Sequence, residues 1–320
     1  MNQIVQLGQM AISYINNGNF VAAEKVLKGL LKVKPNDFNA LNLCGYVLVI
    51  QAKEPEAIEY FDKAYAINSK DAGLLHNFGK ACVVVGLHEK VIQLYTQLIS
   101  INGANEEVMV ELGLAFFGTG KFKDAIDTYD QVLKYFPQSR LAHINKISAL
   151  VETRQIEEAL KLGATAIYLY PHDPLVISNY GSALFTARRY EESASYFQNA
   201  IDLNPTSSIY WMNLGNALTK LRKFKEGEHC YMRAIELDPL NYEIFYNLGV
   251  SFDQQKNHLM AIEAYKKCIL LSPNYQQATW NLAQSQLSIG ENKDAWANAE
   301  SRWSLRGGQK KTTRCNIAIA

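Results

Sequence analysis

Residues 208–241 read SIYWMNLGNALTKLRKFKEGEHCYMRAIELDPLN. Trp211, Leu214, Gly215 and Leu218 stand at i, i+3, i+4 and i+7, one stripe of a helix. Gly227, Tyr231, Ala234 and Ile235 make a second helical stripe. Leu237-Asp238-Pro239 ends that segment, because the residue before a proline is pushed out of helical torsions. The small residues let two antiparallel backbones approach closely, and the aromatic ring fills the space beside them. Such a pair has apolar surface that it cannot bury alone, so it must stack on neighbours.

The rest of the chain supplies those neighbours. Pro137, Pro171, Pro205, Pro239 and Pro273 fall 34 residues apart, and Pro35 lies three periods before Pro137. Gly45, Gly79, Gly113, Gly181, Gly215 and Gly249 keep the same beat. Small residues from Ala23 to Ala295 hold a third track, and Phe61, Tyr95, Tyr129, Phe197, Tyr231 and Tyr265 a fourth. A 35-residue RNA-reading helical repeat would let the proline track drift by one residue per unit.

This pattern resembles the tetratricopeptide repeat. The resemblance implies an all-α fold, a right-handed α-α superhelix (solenoid) of about nine 34-residue helix-turn-helix units. The units start near Ile4, Phe38, Ala72, Glu106, Arg140, Pro174, Ser208, Tyr242 and Gln276. Residues 1–305 are then a single superhelix, and 306–320 a short basic tail expected to be disordered.

Composition narrows the function. The 320 residues carry 32 Lys+Arg against 31 Asp+Glu, a net charge of +1, so neither a nucleic-acid nor an anionic-membrane footprint is expected. No apolar run approaches the roughly 18 residues that cross a bilayer. The opening MNQIVQLGQMAISY lacks a signal-peptide pattern, and five cysteines do not make a disulfide framework. A cytoplasmic protein is the expectation. Cysteines and histidines show no C-x-x-C or H-E-x-x-H spacing. His229-Cys230 is the one adjacent pair, and Cys44, Cys82 and Cys268 read as small core hydrophobes. We therefore expect no catalytic residue, metal or cofactor, and nine units leave no room for an enzyme domain.

The sixth position of the unit carries Asn77, Glu111, Asn145, Asn179, Asn213, Asn247 and Asn281. In the family this position tends to face the inner groove. The run of asparagines resembles the repeat region of the O-linked N-acetylglucosamine transferases, where such residues hold the main chain of an extended polypeptide. An asparagine amide both donates and accepts, so it can complement a peptide unit whatever the side chain. Five rungs about 10 Å apart would grip on the order of a dozen extended residues. The same asparagines could equally be inherited scaffold. Asn216, Tyr246 and Trp280 lie beside them at the ninth and fifth positions of an uncharged wall. The lysines with which some relatives clamp chaperone carboxylates are missing there.

The resemblance thus implies a non-enzymatic adaptor that binds protein or an extended peptide segment. A targeting subunit for a separate enzyme such as a glycosyltransferase, and a homo-oligomer assembled through exposed terminal repeats, are the alternatives. Two irregularities stand out. The fifth unit has His143, Lys146 and Ile147 at its Trp, Leu and Gly positions and Gly163 at its aromatic one, which reads as local repacking or as a hinge. The last unit ends in Trp296, Ala299 and Trp303, a cap for the open end. Its Glu300-Ser301-Arg302-Trp303 resembles the close of bacterial arrays that precede glycosyltransferase domains.

Overall fold

The computed structural model describes residues 2–290. Trp296, Ala299, Trp303 and the 306–320 tail lie outside the described residues. Two helices form each of the first eight repeats. They are α1 (Asn2–Asn16) and α2 (Phe20–Val33), α3 (Phe38–Ile50) and α4 (Glu54–Ile67), α5 (Ala72–Val85) and α6 (His88–Asn102), α7 (Glu106–Gly118) and α8 (Phe122–Tyr135). Then come α9 (Arg140–Glu152) and α10 (Ile156–Leu169), α11 (Pro174–Thr186) and α12 (Tyr190–Leu203), α13 (Ser208–Lys220) and α14 (Phe224–Leu237), α15 (Tyr242–Gln254) and α16 (His258–Leu271). The first helix of the ninth repeat is α17 (Gln276–Ser288). The fold is the all-α helical-repeat superhelix that the 34-residue period predicts.

Local chemistry starts and stops these helices. Asp37, Asp71 and Asn105 accept from the backbone amides of Ala40, Leu74 and Val108 at 3.0, 2.7 and 3.0 Å, and so cap α3, α5 and α7. Asp173 does the same for α11 and Asn241 for α15. Between the two helices of each pair the backbone takes one left-handed residue, from Gly18 to Gly290 in steps of 34.

Glycine and aromatic lock each pair together. A Cβ at Gly215 would sit 2.8 Å from the Tyr231 ring, and one at Gly249 2.5 Å from Tyr265. The rings of Phe61, Tyr95, Tyr129 and Phe197 occupy the equivalent places against Gly45, Gly79, Gly113 and Gly181. All six rings are buried. In the fifth repeat the lock is rebuilt. Ile147 is buried where glycine usually stands, and the Tyr180 ring from α11 lies against Gly163 on α10.

The chain divides into two compact units, residues 1–149 and 150–320. In the first, one apolar cluster runs from Ala11 on α1 to Ala115 on α7. In the second, clusters built on Phe197 and on Tyr265 hold α11 to α17. Second helices pack on the first helix of the next repeat, α2 on α3, α4 on α5 and α6 on α7 in the first unit, and α10 on α11, α12 on α13, α14 on α15 and α16 on α17 in the second. First helices also touch directly, α3 on α5 and α5 on α7 in the first unit, α11 on α13, α13 on α15 and α15 on α17 in the second. The stack is therefore tighter on the first-helix side, which makes that side the inner face of each unit.

Candidate ligand-binding face

Position six is where the inner face and the aromatic core meet. A tyrosine on the second helix of one repeat sends its hydroxyl toward position six of the next, 16 residues on. Tyr95 donates to Glu111 Oε2 at 2.7 Å, and Asn281 Nδ2 donates to Tyr265 Oη at 3.4 Å. Asn145 lies beside the Tyr129 hydroxyl without closing a hydrogen bond to it. Burial pushes the Tyr95, Tyr129 and Tyr265 hydroxyls far above the usual phenol range, so they stay neutral donors. Where the second helix offers Phe61, Phe197 or Gly163, no hydroxyl reaches Asn77, Asn213 or Asn179 along this route.

The expected site residues differ in access. Asn77 and Asn281 are half-buried, as are Tyr246 and Trp280. Asn145, Asn179 and Asn213 are closed off, at 1%, 1% and 0% exposure, and Asn216 and Asn247 are buried beside them. Asn179 Nδ2 donates to its own helix at Leu175 O, 2.8 Å, and Asn216 Oδ1 accepts from Tyr231 Oη at 2.8 Å. Ser178 and Ser182 on α11 and Met212 on α13 are also buried. In the second unit the structure thus brings four rungs, Asn179 to Asn281, onto consecutive first helices, but the face opens only toward α15 and α17.

A hydroxyl and carboxylate chain crosses the same repeats. Thr219 Oγ1 donates to Ser251 Oγ at 3.2 Å. One repeat on, Asp253 accepts from Tyr265 Oη at 2.9 Å and from Ser285 Oγ at 2.8 Å, with His258 Nδ1 3.0 Å away. The serine here bonds the aspartate and not the histidine, so nothing in the arrangement makes a nucleophile of it. Glu243 at the start of α15 is half-buried, and burial raises its carboxyl above the ordinary value. Asp253 and Ser285 escaped the sequence reading; their signal is the 34-residue step from Thr219 and Ser251.

In the first unit a cavity of about 540 Å³ lies between the first three helices, lined by Val5 and Ile12 of α1, Leu27 and Leu30 of α2, and Asn39 and Leu43 of α3. Cys44, Cys82, Cys230 and Cys268 are buried thiols, and burial pushes Cys82, Cys230 and Cys268 up to about 12, far from the thiolate that chemistry would need. Among the described residues no group of three or more His, Cys, Asp or Glu could hold a metal ion, and no helix is long and apolar enough to cross a membrane.

Comparison with known proteins agrees with this fold. Three family models described as tetratricopeptide repeat match residues 9–72 and 110–174, 176–207, and 208–241 with 242–275. No curated protein matches by sequence. A crystal structure of a tetratricopeptide repeat protein from Parabacteroides merdae superposes at TM-score 0.61 with 16% identity, covering 79% of this chain and 100% of that one. A chain in the APC/C hetero-tetramer Cut9-Hcn1 superposes at TM-score 0.63 with 15% identity, over 91% of this chain. This chain spans 57% of the length of that one.

Proposed function

The chain belongs to the tetratricopeptide repeat family, and on that premise we propose that it is a non-enzymatic protein-interaction scaffold that holds an extended polypeptide along its inner face. The observation that carries the proposal is the recurrence of a neutral amide at the same inner position of α11, α13, α15 and α17. A run of amides one repeat apart complements main chain and is indifferent to side chain. The half-buried Tyr246, Trp280 and Asn281 form the accessible end, where aromatic rings can pack on ligand side chains. Asn77 would play the corresponding part in the first unit. Asn145, Asn179, Asn213, Asn216 and Asn247 would come into play as the face opens.

Polypeptide, rather than nucleic acid or membrane, is the partner that suits a near-neutral chain with a net charge of +1. The four buried free thiols suit a reducing compartment such as the cytoplasm.

The test is a selection of displayed twelve-residue peptides on the full chain, followed by titration calorimetry of the winners. Replacing Asn179, Asn213 and Asn247 together by alanine should weaken binding tenfold or more, since each rung contributes about 0.5–1.5 kcal/mol. Unchanged affinity in a folded triple variant would leave the asparagines as scaffold and defeat the reading.

A further inference from the structure

The cavity between α1, α2 and α3 lies where the first repeat is short of side chain. At the aromatic position of the second helix, six later repeats carry the buried rings of Phe61, Tyr95, Tyr129, Phe197, Tyr231 and Tyr265; the first repeat has Leu27. At the fifth position of the first helix it has Gly8, against Met212, Tyr246 and Trp280 in repeats seven to nine. A Cβ added at Gly8 would meet nothing within 4 Å. Both residues line the cavity, as do Gln9 and Leu43, the sixth positions of repeats one and two. Across the same 16-residue step the Tyr95 and Tyr265 hydroxyls meet Glu111 and Asn281. From Leu27 to Leu43 the step is apolar at both ends, and among the described residues no ring lines the space between. Leu27 and Leu30 close its floor at 0% and 3% exposure, while Val5 and Ile12 are exposed.

We propose that this cavity takes an aromatic side chain of a polypeptide ligand, supplied from outside in place of the ring that the first repeat lacks. Size permits it. An apolar cavity of about 150 Å³ already holds benzene, and this one has about 540 Å³, which leaves room for main chain on either side of a ring. Charge selects for it. Neither α1 nor α3 carries a charged residue, and Lys34 and Asp37 at the rim are paired with each other at 2.8 Å. A charged side chain would give up its water there without gaining a partner, whereas a ring gains by leaving water. Gln9 and Asn39 are exposed amides in the lining, able to donate to and accept from the main chain that flanks the ring. The inference rests on the reading that the chain binds extended polypeptide, and it adds what amide rungs do not supply, a preference for one kind of side chain.

The experiment titrates the full chain, labelled at leucine methyls, with N-acetylated and C-amidated Gly-Phe-Gly; the same tripeptide with alanine or lysine at its centre is the comparison. The Leu27 and Leu43 methyl signals should shift saturably with the phenylalanine peptide. The other two should bind about tenfold more weakly or worse, the ratio that burial of one ring supplies. Gly8→Leu, whose side chain enters the cavity from α1, should weaken binding by a similar factor while raising the melting temperature, because leucine suits a helix interior better than glycine. Lost binding is then not lost fold. Leu27→Phe restores the ring within the chain and closes the cavity a second way. Absence of a saturable shift, equal affinity for the three peptides, or undiminished binding by folded Gly8→Leu would overturn the proposal. So would methyl signals that move on dilution of the protein alone, which would give the cavity to a second copy. This titration is read at α1 to α3 and the triple alanine variant at the second unit, so either reading can fail without the other.

Discussion

Lys256 has φ of +61°, a conformation that a side-chain-bearing residue adopts at a cost. Ala52, Arg154, Arg188 and Arg222 share it, while Gly18, Gly86, Gly120 and Gly290 meet the same turn without strain. Lys256 is exposed, so little is lost by removing its side chain. Lys256→Gly should stabilise the chain by about 0.5–1 kcal/mol, the left-handed penalty less the extra chain entropy of glycine. A higher urea midpoint with an unchanged slope checks it; a lower midpoint would mean the turn is not strained. This track was only half legible in the sequence. Glycine marks it in four repeats, but arginine, lysine and alanine hide it in the others, because the fold imposes the torsion and no residue type announces it.

Helices in neighbouring repeats are joined by more than apolar surface. Glu24 on α2, with its side chain 13% exposed, accepts from Lys28 Nζ at 2.6 Å. Lys53 Nζ at 3.1 Å and Gln51 Nε2 at 3.0 Å reach it from the turn after α3. The Lys28 bond leads in holding the Glu24 carboxyl down to about 2. A carboxyl lowered on folding contributes stability that is complete above its unfolded value near 4.5 and is lost as pH falls toward 2. Lys28 and Lys53 are more than a third exposed, so water screens the pair and the contribution is about 1 kcal/mol. Urea midpoints of the native chain and Glu24→Gln should therefore differ at pH 7 and converge by pH 2; a gap that is constant with pH would remove Glu24 from the account. At this scale the sequence was most legible where residue size alone decides, as in the glycine and aromatic tracks. The capping line from Asp37 to Asn241 keeps the same period, yet it hides among Asp, Asn and Ser, which are frequent in any loop.

In a stack where each repeat rests mainly on its neighbours, the whole is as cooperative as its weakest step. We expect that step at the fifth repeat. Asn145 on α9 is 1% exposed and neither end of its amide has a hydrogen-bond partner, a burial that costs about 1–3 kcal/mol. Next to it Lys146 is buried, its ammonium 2.6 Å from Asp130 Oδ1. The substitutions at 143, 146, 147 and 163 were plain in the sequence, and the Tyr180 ring against Gly163 shows the repacking. The unpaired amide was not legible, because Asn145 sits in an otherwise ordinary run of asparagines and only the packing around it decides whether its hydrogen bonds are met. The closing of Asn179 and Asn213 escaped for the same reason. With separate apolar clusters on either side of this repeat, α3, α5 and α7 should open with one free energy and α11, α13 and α15 with another. Hydrogen exchange against urea, read by mass spectrometry, measures both. Asn145→Leu, which exchanges an unpaired amide for apolar contact, should narrow the difference by about 1–2 kcal/mol. One shared opening energy in the native chain would show that the fifth repeat transmits cooperativity as well as any other, and that the cost of Asn145 is offset within its own repeat.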